Sequence, residues 1–202
     1  MKRRLAAGHP GPAVESDIDA AVVQVDQAAA LLRSTRRFLE RGNVSQERHA
    51  LGEVIISSLA LMERELRKAG IALRLSGPIP HCTVSCNEVQ IQQVILNLIR
   101  NAKDAIVASH AGRGEIAIRV SLANRPGFAE ISVSDTGPGV APELQPLLFQ
   151  PLKSEKPEGL GLGLSLCSSI VRGHGGELWL DRSSADGASF AFTLPVVQED
   201  AS

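Results

Sequence analysis

Two asparagines, Asn97 and Asn101, stand four residues apart in a stretch that reads as a helix, and Asp104 follows three residues later. At that spacing the three side chains share one helical face. Asparagine is a poor interior helix residue, so a pair beside an apolar stripe calls for partners that satisfy its amide oxygen and nitrogen. In one reading both amides bond neighbouring backbone. In the other, an amide oxygen helps to hold Mg²⁺, a hard ion that commonly takes one or two protein ligands together with phosphate oxygens and waters. Downstream, Asp135-Thr136-Gly137-Pro138-Gly139 directly follows a strand-like run. A carboxylate at a strand end can accept a hydrogen bond from an exocyclic amine, and the glycines after it let backbone approach a flat ring. Taken alone the same string is also a plausible tight turn. The segment from Leu148 to Leu166 then gathers Phe149, Lys153, Lys156, Gly159, Gly161 and Gly163 ahead of a helix. Glycines before a helix start expose backbone N–H groups and turn the positive end of the helix dipole toward an anion, and lysines add point charges for phosphate. The alternative for each lysine is a solvated loop position.

These residues need a scaffold, and the periodicity supplies one. A helix is expected over 53–68, closed by Gly70, and a strand over 71–75, broken by Gly77-Pro78-Ile79-Pro80. Asn87 is placed to cap a second helix over 88–109, whose apolar stripe is Ile91, Ile95, Leu98, Ala102, Ala105 and Ile106. Strands are expected over 115–122 and 129–134, joined by Asn124-Arg125-Pro126-Gly127. A short helix over 142–148 interrupts a Pro- and Gly-rich region, and a last helix runs over 162–172. Strands over 177–180 and 189–194 flank the turn Ser184-Ala185-Asp186-Gly187, and Trp179 reads as a core residue. Helices alternating with hairpin-linked strands predict an α+β two-layer sandwich, a mixed sheet with helices on one face. At the N-terminus Ile18, Val22, Val25, Ala29, Leu32 and Leu39 form a heptad seam interrupted by Arg36. That seam packs either on its own domain or on a second copy, as a homodimer. A boundary is expected near residue 44.

Composition sets outer limits. With 202 residues, 44% hydrophobic and 21% charged, the chain is long enough for one ordinary core plus an appendage. A net charge of -1 gives no electrostatic footprint for nucleic acid or an anionic membrane. No apolar run is long enough to span a bilayer and no secretory segment follows Met1, so a cytoplasmic location is expected. Three cysteines, Cys82, Cys86 and Cys167, lack paired spacing and fit a reducing compartment. Cys82 and Cys86 read as small strand residues, since Zn²⁺ needs about four ligands and His81 alone joins them.

Four strings together resemble a known family. Asn97-Leu98-Ile99-Arg100-Asn101-Ala102 is similar to an N box, Asp135-Thr136-Gly137-Pro138-Gly139 to a G1 box, Leu148-Phe149-Gln150-Pro151 to an F box, and Gly159-Leu160-Gly161-Leu162-Gly163-Leu164 to a G2 box. Their order and spacing over residues 45–196 resemble the Bergerat ATP-binding fold of sensor histidine kinases, gyrase, heat-shock chaperone ATPases and mismatch-repair ATPases. The resemblance implies that Asp135 faces the adenine amino group, Gly137 and Gly139 lie beside the ring, and Asn101 with Asn97 faces Mg²⁺. It also implies that residues 149–163 form an ATP lid. Phe149, Lys153, Lys156, Gly159, Gly161, Leu162, Gly163 and Leu164 then join Asp104 among the ATP-binding residues. Hydrolysing members place a Glu general base where this chain has Asn97, and an amide cannot take a proton from water. Phosphoryl transfer to another acceptor is therefore favoured over ATP hydrolysis. The string from Phe149 to Gly176 is most similar to sensor histidine kinases of the nitrogen-regulation and oxygen-sensing nitrogen-fixation type.

That resemblance also implies a phosphoacceptor histidine on a dimerising helical hairpin, normally followed by an acidic residue. None of His9, His49, His81, His110 and His174 has that context. Residues 1–44 resemble the remnant of such a hairpin, mainly its second helix, and residues 45–202 the catalytic ATP-binding domain. The acceptor and any sensor domain are expected upstream, on the same or another chain, with a response regulator as the onward partner. The chain is expected to bind Mg-ATP without autophosphorylating alone. Two other functions are a nucleotide-dependent binding module or anti-sigma-type serine kinase of the same superfamily, and a gyrase- or chaperone-type ATPase. The heptad helix argues against the former, Asn97 and a short lid against the latter.

Overall fold

The computed structural model describes residues 46–109, 114–150, 163–181 and 187–197. Among these, chain order is β1 (Glu47–Ala50), α1 (Leu51–Lys68), β2 (Ile71–Ser76), β3 (Thr83–Cys86), α2 (Glu88–Ala108), β4 (Gly114–Leu122), β5 (Phe128–Asp135), a 3-10 turn (Gln145–Leu147), α3 (Gly163–Gly173), β6 (Leu178–Asp181) and β7 (Ser189–Val197). The strands form one mixed sheet in the order β1-β3-β7-β5-β4-β2, with β6 also on β7. Among the described residues only β2 and β4 pair in parallel. Alternation in β4 and β5 decides which way the sheet faces, while β7 between its neighbours is buried on both faces from Ser189 to Leu194. Ile116, Ile118 and Val120 of β4, Ala129, Ile131 and Val133 of β5, and Phe190, Phe192 and Leu194 of β7 all enter one core cluster with the helices. The other face carries small and polar residues such as Ala117, Arg119, Ser132 and Ser134. The fold is thus the α+β two-layer arrangement expected from periodicity.

The helices contribute the other half of that core. α1 buries Leu51, Val54, Ile55, Met62 and Leu66, and α2 buries Ile91, Val94, Ile95, Leu98, Ile99, Ala102 and Ile106. Each of these side chains apart from Ala102 contributes roughly 1.5–3 kcal/mol relative to an exposed one, before chain entropy is counted. Asn87 does cap α2, its side-chain oxygen accepting Gln90 N–H at 3.0 Å. α1 ends where Gly70 adopts φ 71.

Several elements differ from the sequence expectation. β1 was not expected and β3 was not delimited, although Cys86 was read as a strand residue, because four residues carry too little alternation to register. The helix expected over 142–148 is a single turn at Gln145–Leu147. β7 runs past Leu194 because it changes partner: Phe128 of β5 still faces Pro195, and Val196 and Val197 then pair with β3. Trp179 is half-buried rather than core, since β6 has β7 as its only strand partner among the described residues and Trp179 alternates away from the buried Leu178. The heptad helix lies outside the described residues. Among the described residues no helix is long and apolar enough to cross a membrane.

Candidate functional site

The site is assembled along one face of α2. Asn97, Asn101 and Ala105 recur every four residues and so span about 12 Å of that face. At Ala105 the turn after β5 closes onto the helix: a Cβ on Gly137 would lie 3.3 Å from the Ala105 Cβ. At Asn97 the first residue of α3 closes on it from the other end, where a Cβ on Gly163 would lie 2.9 Å from Asn97 Nδ2 and 3.0 Å from its Oδ1. No side chain larger than glycine fits there without moving the amide. Asn101 lies halfway between, half-exposed, and makes no side-chain hydrogen bond with any described residue. Asn97 instead donates Nδ2–H to Cys167 Sγ at 3.2 Å. The reading in which both amides bond neighbouring backbone therefore describes neither of them.

Asp135 continues the buried alternation of β5 at the position where the next apolar residue would stand, and is 6% exposed. Its Oδ1 accepts Gly137 N–H at 2.8 Å and Ala188 N–H at 3.3 Å. Both backbone donors go to one oxygen, which leaves Oδ2 as the carboxylate oxygen free to accept from outside the fold. Burial pushes the Asp135 pKa up from the ordinary carboxylate value, and the two backbone bonds partly oppose that. The strand end is clamped on both sides. Asp135 N–H donates to Ala188 O at 2.9 Å toward β7, and Thr136 exchanges bonds with Glu115 of β4, its N–H donating at 3.2 Å and its Oγ1 accepting at 3.0 Å. Gly187 makes the first clamp possible: it has φ 72, and a Cβ there would come within 1.9 Å of Asp135 O. Gly139, at φ 77, also lies close, and a Cβ there would stand 3.1 Å from Gly187 O.

Phe149 stands edge-on to Phe190, ring centroids 6.5 Å apart at 86°, so the segment leading toward residue 150 is anchored to the core face of β7. Gly163 and Leu164 open α3, and Leu164 packs against the core. Asp104 lies one residue before Ala105, beside Lys103, which pairs with Glu65 of α1. The hydrogen bond from Lys103 holds the Glu65 carboxyl below its ordinary pKa. Lys153, Lys156, Gly159, Gly161 and Leu162 lie outside the described residues. Three contributors were not read from sequence: Gly187, Ala188 and Cys167. Gly187 was visible only as the end of a turn, and nothing in local pattern pairs residue 188 with 135 or residue 167 with 97.

This arrangement offers an acceptor for one donor at a buried strand end, an unpartnered amide oxygen on a helix face, and a helix N-terminus packed beside it. A flat base carrying an amine fits the first, and amide oxygens are hard donors suited to Mg²⁺ held mainly by phosphates and water. Residues 86–198 match the family model described as histidine kinase-, DNA gyrase B- and HSP90-like ATPase. The chain is 37% identical over 201 residues to the sensor protein FixL of Bradyrhizobium diazoefficiens, covering 98% of this chain and 39% of that protein. It therefore spans about two fifths of that relative's length. Among solved structures, the catalytic domain of histidine kinase ThkA superposes with a TM-score of 0.66 at 29% identity, covering 75% of this chain and 96% of that one. ThkA in complex with the response regulator TrrA gives a TM-score of 0.70 at 24% identity, covering 94% of this chain and 53% of that one.

Proposed function

The chain belongs to the histidine kinase-, DNA gyrase B- and HSP90-like ATPase family, an ATP-binding fold, and from that premise we propose that it is the Mg-ATP-binding catalytic part of a two-component sensor histidine kinase. In this reading residues 45–202 are the catalytic domain and residues 1–44 the remnant of a dimerising hairpin. The domain holds ATP so that its γ-phosphate passes to a histidine on a hairpin not complete in this chain. The observation that carries the reading is Asp135: a buried carboxylate with one oxygen consumed by two backbone N–H groups and the other open to an exocyclic amine. Asp135 Oδ2 accepts from the adenine amino group, and Gly137 and Gly139 let the turn lie against the ring. The open amide of Asn101, with Asn97, faces Mg²⁺, which neutralises charge on the phosphate oxygens when bound. Phe149 anchors one end of the lid, Gly163 and Leu164 the other, and Lys153 and Lys156 supply charge between them.

Transfer is favoured over hydrolysis by Asn97. A hydrolase needs a base to take a proton from water, and this amide is neutral and already committed to Cys167. In-line transfer to an imidazole needs positioning above all. The onward partner in this reading is a response regulator, as in the ThkA complex, and the location is cytoplasmic. Calorimetric titration with ATP, with and without Mg²⁺, followed by incubation of γ-labelled ATP with a separately expressed sensor-kinase hairpin, tests it. Expected are Mg²⁺-dependent binding and an acid-labile, base-stable label on the hairpin, none on this chain alone. Absence of nucleotide binding refutes the reading, and steady phosphate release without the hairpin refutes transfer in favour of hydrolysis.

A further inference from the structure

α3 is tied to α2 at both ends. At its C-terminal end the imidazole of His174, 6% exposed, accepts Asn87 N–H at Nε2 over 3.1 Å and bonds Ile170 O through Nδ1 over 2.8 Å. At its N-terminal end the contact falls on Asn97, whose amide is wedged against Gly163 and donates Nδ2–H to Cys167 Sγ at 3.2 Å. Cys167 is 1% exposed, and its sulfur lies 4.0 Å from Val94 O, the acceptor within reach of its own S–H. The consequence is directional. With its proton turned to Val94 O, the sulfur offers Asn97 only lone pairs, and a lone pair selects the NH₂ end of the amide. Asn97 Oδ1 makes no hydrogen bond with any described residue. A flipped amide would present NH₂ to the site, and a cation repels it.

We propose that Cys167 is a positioning residue for the nucleotide site: its thiol locks the Asn97 amide with Nδ2 on sulfur and Oδ1 left for the metal-phosphate group, and in the same contact fastens the first turn of α3 to α2. The lock itself follows from geometry; its effect on ligand rests on the nucleotide reading above, so the experiment reads the two separately. Cys167→Ala, Cys167→Ser and Asn97→Ala are compared with the unaltered chain. The first readout, without ligand, is the side-chain ¹⁵N–¹H pair of Asn97 and its exchange with solvent. The second is the ratio of ATP affinity in Mg²⁺ to that in EDTA.

In Cys167→Ala the Asn97 NH₂ loses protection, and the Mg²⁺ ratio falls about three- to tenfold, the range of one net hydrogen bond. In Cys167→Ser both return in part, because a hydroxyl also accepts from Asn97 once a small shift of the amide meets the shorter side chain. In the Asn97→Ala background Cys167→Ala has no further effect on the ratio. An unchanged Asn97 NH₂ in Cys167→Ala overturns the lock. A normal lock with an unchanged Mg²⁺ ratio, or a Cys167→Ser as defective as Cys167→Ala, overturns its role in positioning. An unaltered chain that binds no ATP overturns the site reading and the positioning role together, whatever the Asn97 signal shows.

Discussion

Replacing Asp135 by Asn separates the chemistry of the site from its folding. Asn keeps an oxygen where Oδ1 accepts Gly137 N–H at 2.8 Å and Ala188 N–H at 3.3 Å, so the turn stays braced. Oδ2 becomes an NH₂. That group meets the adenine amine donor to donor, so a charge-assisted bond worth about 1.5–3 kcal/mol is lost and ATP affinity falls about ten- to a hundredfold. Guanine carries a carbonyl oxygen where adenine carries its amine, so GTP binding improves relative to ATP. Stability moves the other way. Because burial raises the folded-state pKa of Asp135, the folded chain holds this proton more tightly than the unfolded one. Ionisation therefore costs stability as pH rises from the ordinary carboxylate value through the raised one. Asp135→Asn removes it, so the variant is the more stable protein at neutral pH, and its advantage shrinks toward acid. Calorimetric titrations with ATP and GTP, paired with thermal melts from acidic to neutral pH, measure both. An unchanged preference for ATP over GTP refutes the assignment of Oδ2, and a variant less stable at neutral pH refutes the account of how Oδ1 is braced.

Two further substitutions probe the scaffold. Asn101→Ala removes an amide that has no partner among the described residues. It is expected to leave stability within about 0.5 kcal/mol while lowering Mg²⁺-dependent ATP affinity about tenfold or more, and a drop in Tm with affinity intact would make Asn101 structural. Gly187→Ala puts a Cβ within 1.9 Å of Asp135 O at a residue with φ 72. It is expected to cost about 2–4 kcal/mol in urea unfolding, and a neutral result would mean that the β5–β7 clamp is not rigid.

Much of this was legible before any coordinates. The alternation in residues 129–134 placed Asp135 directly after a strand, and Asn87 announced the start of α2. The spacing of Asn97, Asn101 and Asp104 put them on one face, which the structure retains. What escaped was short or non-local. β1 and β3 are four residues each and take their strand form from neighbours, and β7 extends past a proline because a second partner takes over at Val196.

Sequence by itself determined the family and proposed the residues of the candidate site, because both are written in contiguous strings whose period or order survives without a fold. Only tertiary structure decided which atoms of those residues are free. Asn97 and Asn101 are the same residue four positions apart, yet one amide is held by Cys167, 70 residues away, and the other is open. Asp135 has one oxygen occupied and one available because Ala188, 53 residues on, reaches it across the β5–β7 pairing. A hydrogen bond depends on a few tenths of an ångström and a direction, and distances of that kind between remote residues are set by packing, not by local sequence.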